Sequence, residues 1–302
     1  MSLIFNRMSS NEDASVNCIA TMSDGGFLEA RYVQRSPDYF IVYLSSHSGC
    51  THTCRFCHLT ATNQRMMSPA TLEEYSLQAE EIFEIYNERT DRGMSPAQRV
   101  HFNFMARGEA LSNPHFVGYS QALFDHLRDM AKAHGIERVK FNVSTIMPRD
   151  YTGTVLDLAS MFADPDSEIY YSLYSLRPGF RKRWLPRALP AHIALNNLAC
   201  LQERLDRRMT LHWAFIRGQN DSDATVDEII AAVKRHRLRV KFNLVRYNPY
   251  DSRYGTEAAE EDIQRLFIKL SNAFGSTESR IVPRVGYDVK ASCGCFIEPS
   301  HV

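Results

Sequence analysis

No stretch of this sequence approaches the roughly 20 consecutive apolar residues that a membrane-spanning helix requires. Its start, MSLIFNRMSSNEDASVNC, lacks a basic region followed by a long apolar one. These two absences predict a soluble, unprocessed chain of the cytoplasm with no membrane partner. Net charge is missing as well: 35 Lys plus Arg balance 35 Asp plus Glu. The overall field therefore draws in neither nucleic acid nor an anionic membrane, and local clusters must carry any such contact. Cysteine is scarce, seven in 302 residues, too few and too unevenly placed for a disulfide framework. No internal repeat, linker or low-complexity segment stands out.

What is present is alternation. Short apolar runs rich in β-branched and aromatic residues occur at 40–44 (FIVYL), 100–105 (VHFNFM), 139–143 (VKFNV), 169–173 (IYYSL), 211–216 (LHWAFI) and 240–245 (VKFNLV). Each is followed by a helix-like segment. Helices are expected over 72–87 and over 224–237, the latter opened by Asp223 as its cap. Another is expected over 195–205, with Cys200 in the core, and loops are expected over 89–99 and 275–278. Six strand-helix units predict an α/β fold with a parallel sheet, a partial (β/α)6 barrel, and active residues at the carboxyl ends of the strands. The expected division is a short amino-terminal extension with one strand (1–38), the barrel (39–275), and a carboxyl-terminal strand with a cysteine-bearing loop (276–302).

The strongest motif is SGCTHTCRFCHL, with Cys50, Cys54 and Cys57 directly after the first barrel strand. Three thiolates on one short loop can hold three irons of a [4Fe-4S] cluster and leave the fourth open to a ligand such as S-adenosylmethionine (SAM). The plainer alternative is a structural zinc site completed by His52 or His58. No second cysteine pair follows closely, which favours the cluster. Glu109 after Gly108 could accept a hydrogen bond from an ammonium group. Ser144, Ser172 and Asn248 fall at strand ends, where each in isolation reads as a turn or cap residue.

The CxxxCxxC motif on the first β/α loop resembles the radical SAM superfamily, and the rest of the chain resembles its adenine-methylating RlmN/Cfr family. The likeness rests on motifs in the expected order. Leu28, Glu29 and Tyr32 match a strand motif V-E-x-x-Y, and Ser45, Ser46, Gly49 and Cys50 match SS-x-x-GC. Gly108, Glu109, Ala110, Leu111 and Asn113 resemble G-E-P-L-x-N, with alanine for proline. Further matches are Ser144 and Thr145, then Ser172 and Leu173 with Tyr174 in place of histidine, then Asn220 and Asp221. The segment from Phe242 to Tyr250 with Asn248, and Ala291 to Gly294 around Cys293, complete the series.

The resemblance implies a [4Fe-4S] cluster on Cys50, Cys54 and Cys57, and SAM held by Gly108, Glu109, Ser144, Ser172, Leu173, Tyr174 and Asn248. It implies an electron donor such as flavodoxin, and methylation of carbon 2 or carbon 8 of an adenine in ribosomal or transfer RNA. In the implied chemistry one SAM methylates Cys293. A second, cleaved at the cluster, removes a hydrogen from that methyl group, which then joins the adenine carbon, with Glu29 as the base for the ring proton. Two departures follow. Tyr43 stands where the family has the cysteine that resolves the covalent adduct, so either Cys295 takes that role, with Cys18 a weaker candidate, or the chain performs a different radical reaction on a peptide or small molecule. About 28 residues precede Glu29, too few for the family's amino-terminal accessory domain.

RNA contact is expected from the segment 177–187 (RPGFRKRWLPR). It carries Arg177, Arg181, Lys182, Arg183 and Arg187, with Phe180 and Trp184 interleaved as stacking faces. A second cluster, 234–241 (KRHRLRVK), is the weaker candidate. The plain alternative for both is a solvated helix face, and the non-enzymatic alternative for the chain is a metal-stabilised binding protein.

Overall fold

Apolar and polar residues alternate along the central strands, and this alternation sets the architecture. The computed structural model describes residues 3–151 and 153–301. Its one sheet has ten strands in sequence order: β1 (Asn6–Ser9), β2 (Val16–Thr21), β3 (Phe27–Ser36), β4 (Tyr39–Tyr43), β5 (Arg99–Phe104), β6 (Arg138–Thr145), β7 (Ser167–Ser172), β8 (Met209–Trp213), β9 (Val240–Val245) and β10 (Arg280–Val282). The pairs from β1 to β4 are antiparallel. Those from β4 to β10 are parallel. All six barrel strands lie where the sequence places them, and β10 is the expected carboxyl-terminal strand. The amino-terminal part holds three strands rather than one. β1 is polar and mostly exposed, so it shows no apolar alternation, and it exists by pairing with β2.

Helices cross between the parallel strands: α1 (His58–Ala61), α2 (Leu72–Asp91), α3 (Pro114–Ala133), α4 (Val155–Met161), α5 (Pro178–Trp184), α6 (Ala191–Leu205), α7 (Asp223–Arg235) and α8 (Glu260–Phe274). No helix among the described residues is long and apolar enough to cross a membrane. Helix α2 runs a turn past its expected end. Arg89 holds that turn by donating to the Ala14 carbonyl at 2.6 Å and lying over the Tyr32 ring. In α7 the cap is Ser222, whose hydroxyl accepts the Thr225 N–H. Asp223 is instead a first-turn residue paired with Arg265 and Lys269. Cys200 in α6 is half-buried rather than in the core.

A tetrapeptide V-[HK]-F-N recurs at 100–103, 139–142 and 240–243, a short repeat where none was expected. In each copy Phe102, Phe141 or Phe242 faces the helices and is fully buried. Phe141 stacks on Phe102 at 5.5 Å and on Phe124 of α3 at 4.4 Å. The asparagine of each copy points the other way, into the barrel. The sheet curls far enough that Tyr39 and Tyr43 of β4 line the same cavity as Val282 of β10, although these strands are not bonded to each other.

Candidate active site

Every loop that carries a candidate residue leaves the carboxyl end of a parallel strand, so the chain's scattered motifs converge. Cys50, Cys54 and Cys57 follow β4, Gly108 and Glu109 follow β5, Ser144 ends β6, Ser172 ends β7, and Asn248 follows β9. All eight line one cavity together with Tyr174, Cys293 and Gly294. Glu109 caps a short 3-10 turn by accepting the Leu111 N–H and also accepts the Ile146 N–H at 3.0 Å. Burial pushes its carboxyl up to about 7 against those hydrogen bonds. Asn113 ties this loop to its neighbours: its amide donates to the Ser46 and Ala70 carbonyls while its oxygen caps α3.

Gly108 is fixed by space and by backbone. Its φ is +89°, and a Cβ there would stand 2.5 Å from His47 Nδ1. The carboxyl-terminal loop returns onto the cysteine loop through Gly294, at φ +78°, whose carbonyl accepts the His58 N–H at 2.9 Å. That contact sets Cys293 beside Cys57.

Burial raises the thiols of Cys50, Cys54 and Cys57, the last to about 11. Metal binding would therefore have to displace their protons. His58 Nε2 donates to the Asn248 carbonyl, and His52 Nε2 is 3.0 Å from the Ser112 hydroxyl, so the nitrogens that a zinc site would recruit have other partners. Among the described residues no three His, Cys, Asp or Glu side chains gather as ligands of a single ion. A cluster gives each thiolate its own iron, and a loop presenting three thiols to one cavity fits that donor set.

Several candidates sit differently from the expectation. Glu29 lines neither this cavity nor the one behind it. It is fully buried, and its carboxylate accepts from Arg107 at 2.9 and 2.6 Å, Arg31 at 2.7 Å, Asn17 at 3.1 Å and the Ile297 N–H at 2.9 Å. Burial acts to raise its pKa, but Arg107 and Arg31 outweigh it and hold the carboxyl below the ordinary value. As placed, Glu29 anchors the Cys293 loop and is not offered to a substrate proton. Arg31 and Arg107 extend that anchor, donating to the Cys295 carbonyl at 2.6 Å and the Ile297 carbonyl at 2.9 Å. Sequence reasoning missed both arginines. The one available signal was Arg31 two residues from Glu29 on the same strand face.

Asn248 spends its amide inside the protein, donating to the Cys293 carbonyl at 2.9 Å and accepting from Arg284 at 2.6 Å. Leu173 is a fully buried core residue that lines neither cavity. Tyr174 does line the site and stacks on Phe56 at 4.4 Å. Cys293 is reached by solvent through the cavities, while the protein around it raises its thiol pKa and Arg31 and Arg35 pull it down. Cys295 is wholly buried, lies off both cavities, and has its thiol pushed up to about 12 by burial. Cys18 is fully buried in β2, off both cavities, and its burial lifts its thiol strongly. Tyr43 lines a cavity with Cys293.

The basic segment divides. Lys182, Arg183 and Arg187 are exposed. Arg177 is held by Glu228 at 2.9 Å, and Arg181 is buried on the Leu173, Ser175 and Leu189 carbonyls. Phe180 and Trp184 are core residues, so they offer no face to an unstacked base. The second cluster flanks the start of β9, at the opposite end of the barrel, and Arg239 and Lys241 there pair with Asp206 and Glu168.

No model of a known protein family matches the chain. It is 28% identical over 304 residues to the dual-specificity RNA methyltransferase RlmN of Methylobacterium radiotolerans, covering 96% of this chain and 64% of that protein. It is 25% identical over 298 residues to the RlmN of Ruegeria pomeroyi, covering 94% and 70%. Its backbone superposes on a radical SAM methyltransferase from Sphaerobacter thermophilus with a TM-score of 0.76, at 20% identity and over 98% of this chain and 81% of that one. By sequence the chain is similar to RlmN methyltransferases, and it shares the fold of a radical SAM methyltransferase. The RlmN-like match spans somewhat under two thirds of the Methylobacterium relative's length.

Proposed function

We propose that the chain is a radical SAM methyltransferase that methylates a ring carbon of adenine in RNA, with Cys293 as the methyl carrier. The observation that carries this reading is the placement of Cys293 on the same cavity as Cys50, Cys54, Cys57 and Glu109. A [4Fe-4S] cluster on those three cysteines, with SAM bound to it, would supply both a transferable methyl group and one-electron cleavage of a carbon–sulfur bond. Glu109 would receive the ammonium group of SAM, and Ser144 and Ser172 face the same space. Tyr174 and Phe56 form an aromatic wall. Asn248, Arg31 and Arg107 hold the loop on which Cys293 stands, so the thiol meets its partners at a fixed position. Arg31 offsets part of the burial that raises the Cys293 thiol, toward the thiolate that methyl transfer requires.

Cys295, two residues from Cys293 across Gly294, is the resolving thiol in this reading, which requires the loop to turn its buried thiol toward Cys293. Cys295→Ala is expected to accumulate a protein–RNA cross-link; turnover without one removes Cys295 from the scheme. RNA as substrate is supported by the curated relatives' names and by exposed Lys182, Arg183 and Arg187. Cytoplasmic residence and an electron donor such as flavodoxin accompany the same reading.

The deciding experiment is anaerobic reconstitution with iron, sulfide, SAM and a reductant, followed by mass spectrometry of the Cys293 peptide. A methyl group on Cys293, with both S-adenosylhomocysteine and 5′-deoxyadenosine released, is the expected result. 5′-Deoxyadenosine without cysteine methylation points to a different radical reaction, and neither product points to a binding protein.

A further inference from the structure

Behind Cys293 the barrel encloses a second chamber, and its lining is unusual. Strands of a parallel sheet covered on both faces are ordinarily apolar on both. Here the inward positions of the recurrent V-[HK]-F-N segments place Asn103, Asn142 and Asn243 in the chamber wall. Asn142 donates to Asn103 at 2.7 Å, yet its own oxygen is buried without a partner at 4% residue exposure. His101 Nε2, His212 Nδ1 and Arg35 Nε line the same chamber and are likewise buried without a partner. Each unmet polar group costs about 1–3 kcal/mol, and their gathering on one cavity points to a polar ligand.

The charge of the chamber is one-sided. Five arginines line it and no carboxylate does. Arg31 is committed to Glu29, and Arg246 and Arg284 to Glu257. Arg35 and Arg280 have no anionic partner among the described residues, and each stands at or next to a terminus of its strand, β3 or β10. Burial first, and those two guanidiniums among other neighbouring cations, push His101 to about 3 and His212 to about 4, which keeps both imidazoles neutral. Aromatic faces complete the wall, with Tyr39 stacked on His101 at 4.7 Å and Tyr170 and Tyr43 beside them. From Tyr39 to Tyr43 the strand rises about 13 Å, comparable with the length of a nucleotide from phosphate to the far edge of its base.

We propose that this chamber binds an adenine nucleotide, with its phosphate between Arg35 and Arg280, its polar edges on the asparagines, and its base directed at Cys293. Asparagine amides match the donor–acceptor pattern of an adenine edge, and paired guanidiniums match a phosphate. The inference rests on the adenine reading above and adds where the phosphate is held. A free nucleotide and a nucleotide within an RNA strand both offer an adenine edge and an anionic phosphate.

The test is calorimetric titration of the cluster-loaded protein with adenosine 5′-monophosphate, adenosine and inorganic phosphate, and competition by an adenine-containing single-stranded RNA. The nucleotide is expected to bind at least tenfold more tightly than adenosine. Arg35→Gln and Arg280→Gln should each weaken nucleotide binding at least fivefold while leaving adenosine affinity, SAM affinity and the melting temperature unchanged. Competition by RNA assigns the phosphate to a strand; lack of competition assigns it to the free nucleotide. Equal affinity for nucleotide and adenosine, or arginine variants that bind the nucleotide normally, overturns the proposal. Methylated Cys293 without arginine-dependent nucleotide binding leaves the methyltransferase reading standing and removes this one. Arginine-dependent binding without cysteine methylation does the reverse.

Discussion

Arg107 grips Glu29 across 78 residues of chain through Nε at 2.9 Å and Nη2 at 2.6 Å, both on Oε1, where the Ile297 N–H also arrives at 2.9 Å. Three distant parts of the sequence, the strand before the barrel, the loop after β5 and the carboxyl terminus, meet at one oxygen. Position of the Cys293 loop and stability of the fold are therefore the same problem.

Glu29→Gln removes the charge and leaves Arg31 and Arg107 buried without their anion. Breaking one partner of such a pair costs about 3–5 kcal/mol. Urea unfolding followed by circular dichroism is expected to show that loss, together with faster alkylation of Cys293 as its loop loosens.

The same carboxylate sets an acid limit. Its folded pKa is held below the ordinary value of 4.5, so its contribution is complete above that value and is lost as pH falls through the lower folded one. Acid unfolding of the wild-type protein should steepen below pH 4.5, and Glu29→Gln should flatten that limb. An unchanged acid limb in the variant contradicts the assignment.

Glu109 is shifted the opposite way, so its acid loss falls at a higher pH. Burial pushes its carboxyl up to about 7, so below that pH it is neutral and a poor partner for an ammonium group. SAM affinity of the cluster-loaded protein should rise as pH increases through 7 and fall about tenfold per unit below it. Glu109→Gln should bind SAM weakly at every pH, and equilibrium dialysis from pH 6 to 8 measures both.

Gly108→Ala places a Cβ 2.5 Å from His47 Nδ1 and 2.9 Å from the His47 nitrogen, at φ +89°. Strain of this kind costs about 1–3 kcal/mol. A lowered melting temperature is expected together with weakened SAM binding, because the strained turn presents Glu109.

Phe141 sits at the centre of the sheet–helix interface between Phe102 and Phe124. Phe141→Ala should cost about 3–5 kcal/mol and leave the cysteine loop's iron content unchanged once folded. Comparison of unfolding midpoint with iron per chain separates the two effects.

The sequence alone determined the parallel strands, the loop of three cysteines and the Gly108–Glu109 turn, because each is written in residues close together. Alternation of Val and Phe with polar residues specifies which strand face meets the helices, and a loop's thiol spacing needs no distant partner. Only the tertiary structure decided what the long-range partners do. Glu29 read as a base until Arg31, Arg107 and a backbone N–H from 268 residues away occupied its oxygens. Phe180 and Trp184 read as stacking faces until α5 turned them into the core, and the second basic cluster proved to lie at the far end of the barrel. Asn103, Asn142 and Asn243 are ordinary strand residues singly, and become a polar wall only when the curled sheet brings three strands around one chamber. The physical reason is common to all of these: burial and charge compensation depend on what the folded chain sets beside a side chain, and neighbours dozens to hundreds of residues away leave no local mark.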